Sequence, residues 1–273
     1  MSQSNCRPKV GLVLSGGGGR GNAHIGVLKV LARERIPIDC LTGTSMGSVI
    51  GAGYASGMSA QEMEAEALHM ARLQRLAGLV DRKLPRQGLL AGERIHAYFA
   101  GHVGPSTTFD DLRIPLALVA VDIISGQEVV LRQGLVADAV RASVTIPGLM
   151  APMEMNGHRL IDGGLLNNLP VDAARQIGAE VVIAVDVMGG LDSKLPPWMG
   201  SMADDTKRSM QIAFTRLYEY KSKQFPPDVL ISLNGRLDLN SLTGFTHAAE
   251  AIAAGEAAAE AALPQIRQTI AGH

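Results

Sequence analysis

The sequence predicts a single α/β domain in which a parallel sheet is covered by helices. Short apolar runs alternate with stretches of helical spacing, the pattern left by strands that need helical crossovers between them. Glycine-rich segments fall where two of those runs give way to helices. The composition agrees: 273 residues, 47% hydrophobic and 19% charged, can bury a sizeable core and are too apolar for a disordered chain. Glycine is over-used, at 31 residues, about 11% against the usual ~7%. No repeat or linker divides the chain, so we expect a flexible polar tail over residues 1–8 and one domain over 9–273.

Taken in order, Val10–Leu14 is an apolar strand, followed by the glycine-rich Ser15–Gly21. Ala23–Arg35 has helical spacing at Ile25, Leu28, Leu31 and Ala32 and stops before Pro37. Ile38–Thr42 reads as a second strand, and Gly43–Gly47 turns into a helix reaching about Ser56. Ser59-Ala-Gln-Glu62 is a capping box that opens another helix. Leu116–Val121 and Glu128–Leu131 flank Ser125-Gly126 as a hairpin. Asn156-Gly157 between Met153–Met155 and Arg159–Ile161 is a stronger hairpin signal, because both turn positions need positive φ. Val181–Val187 is a fully apolar strand, and Gly189–Ser201, rich in glycine and proline, is a loop. Residues 204–224 and 247–262 read as helices, the last ending before Pro264.

Charge and cysteine usage narrow the function. With 25 basic and 26 acidic residues the net charge is −1, which argues against a binder that grips nucleic acid with a basic face. Two cysteines, Cys6 and Cys40, are too few for a disulfide framework and read as free thiols of a cytoplasmic protein. The N-terminus has no apolar stretch of signal-peptide type. The longest uncharged run, Cys40–Gln61, has 22 residues, but eleven are Gly, Ser or Thr. That suits a buried turn and helix better than a membrane span. Metal-ligand spacings are absent, so neither metal nor other cofactor is expected.

Three glycine motifs carry chemistry. Gly16-Gly17-Gly18-Gly19-Arg20-Gly21 lies between a strand and a helix, where unpaired backbone amides can bind an anion. Gly43-Thr44-Ser45-Met46-Gly47 has the form of a nucleophile elbow, a sharp turn that lifts a serine hydroxyl above a sheet edge. Asp162-Gly163-Gly164 follows an apolar run and aims a carboxylate from a strand end. Each alone is expected by chance at about 0.2 to 0.4 matches in such a chain, all three together at about 0.01 to 0.02. The combination supplies a serine nucleophile (Ser45), a base (Asp162) and oxyanion donors (the Gly16–Gly19 amides), the parts of acyl transfer. None of the seven histidines (His24, His69, His96, His102, His158, His247, His273) stands in a recognisable triad position.

In this order and at these intervals, the three motifs resemble the patatin-like phospholipase family. Arg141-Ala-Ser143 with Pro147, and Asn167 to Pro170, are similar to that family's lesser blocks, and the resemblance covers roughly residues 9 to 187. It implies a three-layer α/β sandwich with a mainly parallel central sheet and a Ser–Asp dyad in place of a triad. Lipid acyl esters are the implied substrates: phospholipid, lysophospholipid or acylglycerol. It carries the nucleophile onto Ser45, the base onto Asp162 and the oxyanion hole onto Gly16, Gly17 and Gly18. Gly19, Arg20, Gly21, Gly43, Gly47, Gly163 and Gly164 complete the motifs. A dyad without histidine needs an aspartate more basic than usual, so Asp162 is expected to be buried within hydrogen-bond reach of Ser45.

The motifs also admit rival readings. The first satisfies the dinucleotide fingerprint of a Rossmann-type oxidoreductase, with Asp39 as its acidic residue, although Asp39 opens the second strand and that role belongs at the strand's far end. A P-loop is excluded because Asn22, not lysine, follows Gly21. An α/β-hydrolase triad with His247 is a third reading, and a lipid-binding module without turnover is a fourth. Arg20 either steadies an anionic headgroup or pairs locally. Arg72, Arg75, Arg82, Lys83 and Arg86 form either a solvated loop or a contact with anionic lipid, which would make membrane association peripheral. Trp198, with Met199 and Met202, is either a lid or an ordinary loop.

Overall fold

The computed structural model describes residues 7–72, 92–188, 202–234, 237, 239 and 243–273. Within them, β-branched and leucine runs form the centre of a sheet: Val10–Leu14 (β1), Cys40–Thr44 (β2), Leu116–Asp122 (β3), Gln127–Leu131 (β4), Met153–Met155 (β5), His158–Asp162 (β6), Val181–Asp186 (β7) and Val229–Ser232 (β8). The order is β5-β6-β3-β2-β1-β7-β8, with β4 also paired to β3. Strands β3, β2, β1, β7 and β8 run parallel, whereas β4 and β6 lie antiparallel to β3.

Alternation along the strands divides the interior in two, as expected of a sheet covered on both faces. Val10, Leu12 and Leu14 of β1 and Val181, Ile183 and Val185 of β7 share one core with helices Ala23–Arg33 (α1), Met46–Ala55 (α2) and Ala248–Ala271 (α8). Val13, Cys40, Val182 and Ala184 face the other way, onto Leu169, helix Val171–Gln176 (α6) and Tyr218 of helix Met202–Gln224 (α7). The molecule is thus a three-layer α/β sandwich. Helices Ala60–Met70 (α3), Glu93–Val103 (α4) and Val136–Ser143 (α5) complete the described elements. Among the described residues no helix is long and apolar enough to cross a membrane.

Most local chemistry acts as its residues require. Ser59 and Glu62 form the reciprocal capping box that starts α3. Asn156 and Gly157 take φ of 53° and 81° and turn β5 into β6. Two elements differ from expectation. Strand β2 begins at Cys40 rather than Ile38, because Asp39 is occupied at the strand's mouth: its carboxylate takes the Val10 amide at 2.7 Å and the Arg7 guanidinium at 2.6 and 2.8 Å. Helix α8 runs through Pro264 instead of stopping before it. Beyond the proline, Ile266 is fully buried and Ile270 packs on the same core, and that burial outweighs the one lost backbone bond. Residues 1–6 of the expected tail, the loop with Trp198 and Met199, and Arg75, Arg82, Lys83 and Arg86 lie outside the described residues.

Helices α1 and α8 cross at backbone contact. A Cβ on Gly26 would lie 2.0 Å from the Ile252 carbonyl oxygen, and one on Gly255 would lie 2.0 Å from that of Ala23. Gly255→Ala should therefore destabilise the protein by about 1–3 kcal/mol, although alanine is the better helix former by ~1 kcal/mol. Urea unfolding of the variant would reveal the sign; a stabilised variant would mean that the two helices do not touch there.

Candidate active site

Strand β2 ends at Thr44, and the chain turns into α2 through Ser45, whose φ and ψ are 53° and −122°. A non-glycine residue there carries strain on the order of 1–3 kcal/mol and persists only if its surroundings hold it. They do. The Ser45 amide donates to Ser143 Oγ at 3.0 Å, and Ser143 in turn donates to the Val119 carbonyl at 2.6 Å. The Ser45 carbonyl accepts the amides of Ser48 and Val49 at 2.9 and 3.3 Å. Gly47 lets α2 approach β1, for a Cβ there would sit 2.1 Å from the Leu14 carbonyl oxygen; one on Gly43 would meet that of Gly47 at 2.5 Å. The turn thus holds the hydroxyl at the carboxyl ends of the parallel strands, where open α/β sheets bind ligands.

Strand register brings the carboxylate to the same level. β2 pairs Thr44 with Val119, and β6 pairs Asp162 with Ala120, the next residue along β3. The Asp162 carboxylate lies near the Ser45 hydroxyl, which favours its charged form, and accepts a hydrogen bond from the Gly164 amide at 2.8 Å. Its own amide donates to the Thr145 carbonyl at 2.8 Å, and buried Arg141 holds the Thr145 hydroxyl. Gly163 lets the chain pass Val119, whose carbonyl oxygen lies 2.3 Å from where a Cβ would be. Asp162 is only 8% exposed. Burial raises its pKa to about 6, against the Ser45 hydroxyl and the Gly164 amide, both of which favour the charged form.

The glycine loop stands against this pair. A Cβ on Gly16 would lie 3.0 Å from that of Ser45 and 2.5 Å from Asn168 Oδ1. Gly17 is extended, and Gly18 has φ of 56°. One expectation changes: the Gly16 amide is taken by the Asn168 carbonyl at 3.2 Å, so it is not open to a ligand. Gly17 and Gly18 amides have no hydrogen-bond partner among the described residues, as expected ahead of a 3₁₀ turn (Gly18–Asn22). Gly19 and Gly21 provide close approach to Phe245 and Met46. Arg20 pairs locally, donating to the carbonyls of Met188 and Leu237.

The rival assignments lose their residues. Asp39 is held at the opposite end of β2, by Arg7 and the Val10 amide. His247 shares a hydrogen bond with the adjacent Thr246, while Asp162 lies near the Ser45 hydroxyl. His24 is fully buried, with Nε2 2.8 Å from the Ser15 carbonyl just ahead of the glycine loop; burial lowers its pKa to about 4, so it is neutral. Cys40 is a buried strand residue whose thiol burial pushes up to about 11.

Several residues around the site had no signature as separate motifs. Ser143 and Asn168 brace Ser45 and Gly16, and their only sequence signal was the resemblance. Asn167 anchors β2 by accepting the Thr44 hydroxyl on its carbonyl at 2.8 Å. Its amide donates to Glu128 and Asp172 at 2.9 and 2.8 Å, and Lys221 of α7 is paired with both carboxylates. Beside Ser45 an apolar cleft of about 140 Å³ runs from Asn22 and Met46 between α2, α3 and α4, walled by Met58, Met63 and Phe99. Methionines scattered over three segments show no periodicity that would mark one cavity.

Among the described residues, then, a strained serine, a buried carboxylate and two open amides meet at the sheet edge beside an apolar cleft. The family model for patatin-like phospholipases matches residues 12–175, and the chain belongs to that family. It is 36% identical over 228 residues to patatin-like phospholipase domain-containing protein 6 of mouse and of human, covering 81% of this chain. A Mycobacterium tuberculosis protein described as an uncharacterized NTE family protein is 37% identical over 183 residues, 67% of this chain. The matched region is 16% of the mouse and human proteins and 50% of the mycobacterial one. In fold the chain is similar to VipD of Legionella pneumophila, with a TM-score of 0.53 at 14% identity, covering 98% of this chain and 67% of that one.

The raised pKa of Asp162 has a sign that can be checked. Between pH 4 and 6 the unfolded carboxyl is ionised while the buried one holds its proton, so stability falls as pH rises through that window. Asp162→Asn should relieve the cost: relative to wild type it should gain on the order of 2 kcal/mol between pH 4 and pH 8, measured by urea unfolding. An equal effect of the substitution at both pH values would show that Asp162 titrates normally.

Proposed function

We propose that the protein is a metal-independent serine hydrolase that cleaves lipid acyl esters. Ser45 Oγ attacks the ester carbonyl carbon and passes its proton to Asp162. The oxyanion settles on the glycine-loop amides, Gly17 and Gly18 in particular, with Gly16 bracing the loop. As the tetrahedral intermediate collapses, the ester C–O bond breaks and the proton on Asp162 goes to the leaving alcohol. The Ser45 acyl ester remains. A water deprotonated by Asp162 then attacks it, releasing the fatty acid and restoring the serine.

The observation that carries this reading is the approach of a strained serine to an aspartate buried enough to be a useful base. An aspartate near pKa 4 would hold the serine proton too weakly, and one near 6 is closer to working pH. Lipid as substrate is supported by the family and by the apolar cleft that starts at Met46, next to the serine. A cytoplasmic protein that meets its substrate at the membrane surface goes with this reading.

Two experiments test it. Wild type should be labelled by a serine-directed fluorophosphonate and Ser45→Ala should not; labelling that persists would move the nucleophile elsewhere. On p-nitrophenyl butyrate, kcat/KM should rise with pH through an apparent pKa near 6, because the base must be ionised. Asp162→Asn should lose about a thousandfold or more. Binding of lipid by an unlabelled, inactive wild type would leave a binding module as the better description.

A further inference from the structure

The apolar cleft has a direction. Its lining takes Met46, Val49, Ile50 and Gly53 from α2, spaced three, four and seven residues apart along one helical stripe. At 1.5 Å per residue, the stripe carries the cleft about 10 Å from the residue after Ser45 to Gly53. An extended alkyl chain advances about 1.25 Å per carbon, the projection of a 1.5 Å single bond. A chain attached at Ser45 therefore passes Gly53 at about its eighth to tenth carbon.

Gly53 is buried at a narrow point. A Cβ built there would lie 3.4 Å from Met58 Sδ and 3.5 Å from Met63 Cε, ordinary van der Waals contacts with two flexible side chains. Alanine fits without strain, and a longer side chain enters the cleft. The same lining holds one polar group, in which the Tyr98 hydroxyl donates to Glu66 at 2.6 Å and the His102 ring packs 4.4 Å from that of Tyr98.

Resting on the proposed hydrolase reading, we infer that Gly53, faced by Met58 and Met63, sets acyl-chain length. The site takes medium chains, with their ends at Gly53, Met58 and Met63. Gly53 does not touch the reacting atoms and acts only by the room it leaves.

The test is a series of p-nitrophenyl esters with chains of 4, 8, 12 and 16 carbons, run on wild type, Gly53→Val and Met63→Ala. Wild type should peak at 8. In Gly53→Val, kcat/KM for the 4-carbon ester should stay within about twofold and that for 8 carbons should fall at least tenfold. Met63→Ala, which removes the opposing side chain, should raise the 12-carbon ester relative to the 8-carbon one by at least threefold, a readout that stands even if valine at 53 prevents folding. Equal loss at every length in Gly53→Val, or an unmoved profile in Met63→Ala, would overturn the ruler while leaving the hydrolase standing. A wild type inert towards all four esters and unlabelled by fluorophosphonate would instead overturn the hydrolase reading beneath it.

Discussion

The approach of Ser45 to Asp162 brings together two groups that each resist being where they are. The serine backbone sits in a region that side chains disfavour, and the carboxylate sits mostly out of water. A strained backbone and a mostly buried carboxylate are tolerated only with support, and the support explains much of the surrounding structure. Ser143 couples the Ser45 amide to β3. Arg141 and Thr145 hold the Asp162 backbone. Asn168 fixes Gly16, and Asn167 fixes Thr44 directly, its own side chain held by two carboxylates that share Lys221. The stability given up at the pair is recovered in these braces and in the two cores behind them.

This arrangement also accounts for why the three motifs have to be glycine-rich. The serine, the carboxylate and the open amides come from different strands, and they meet because backbones pass at van der Waals distance. Gly47 against Leu14, Gly163 against Val119 and Gly16 against Ser45 are each places where a methyl group would hold two segments apart. The proposed chemistry depends on separations near 3 Å, so a displacement of one methyl diameter would end it.

The fold was largely legible because strand and hairpin signals here are local. Val10–Leu14 and the Asn156-Gly157 turn are determined by their own residues and appear where expected. The failures were tertiary. Nothing near Pro264 reveals that Ile266 will be buried against the core, and nothing near Asp39 reveals Arg7 across from it. At the site, the motifs marked Ser45, Asp162 and the glycine loop, since each needs an unusual backbone that only certain residues permit. They did not show that the Gly16 amide would be taken by Asn168, 152 residues away. The methionine-walled cleft was equally hidden, because apolar residues read as core until a space appears between them.

The buried, uncharged imidazole of His24 has a consequence for how the chain exchanges protons with solvent. Around pH 5 the denatured chain carries a cation at this position that the folded chain lacks, so folding there releases one proton. At Asp162 the transfer runs the other way, and folding takes one proton up. The two opposed transfers overlap between about pH 4 and 6. The proton released at His24 thus largely offsets the one taken up at Asp162, so the two interior groups together contribute little net pH dependence there, although each alone would contribute a marked one.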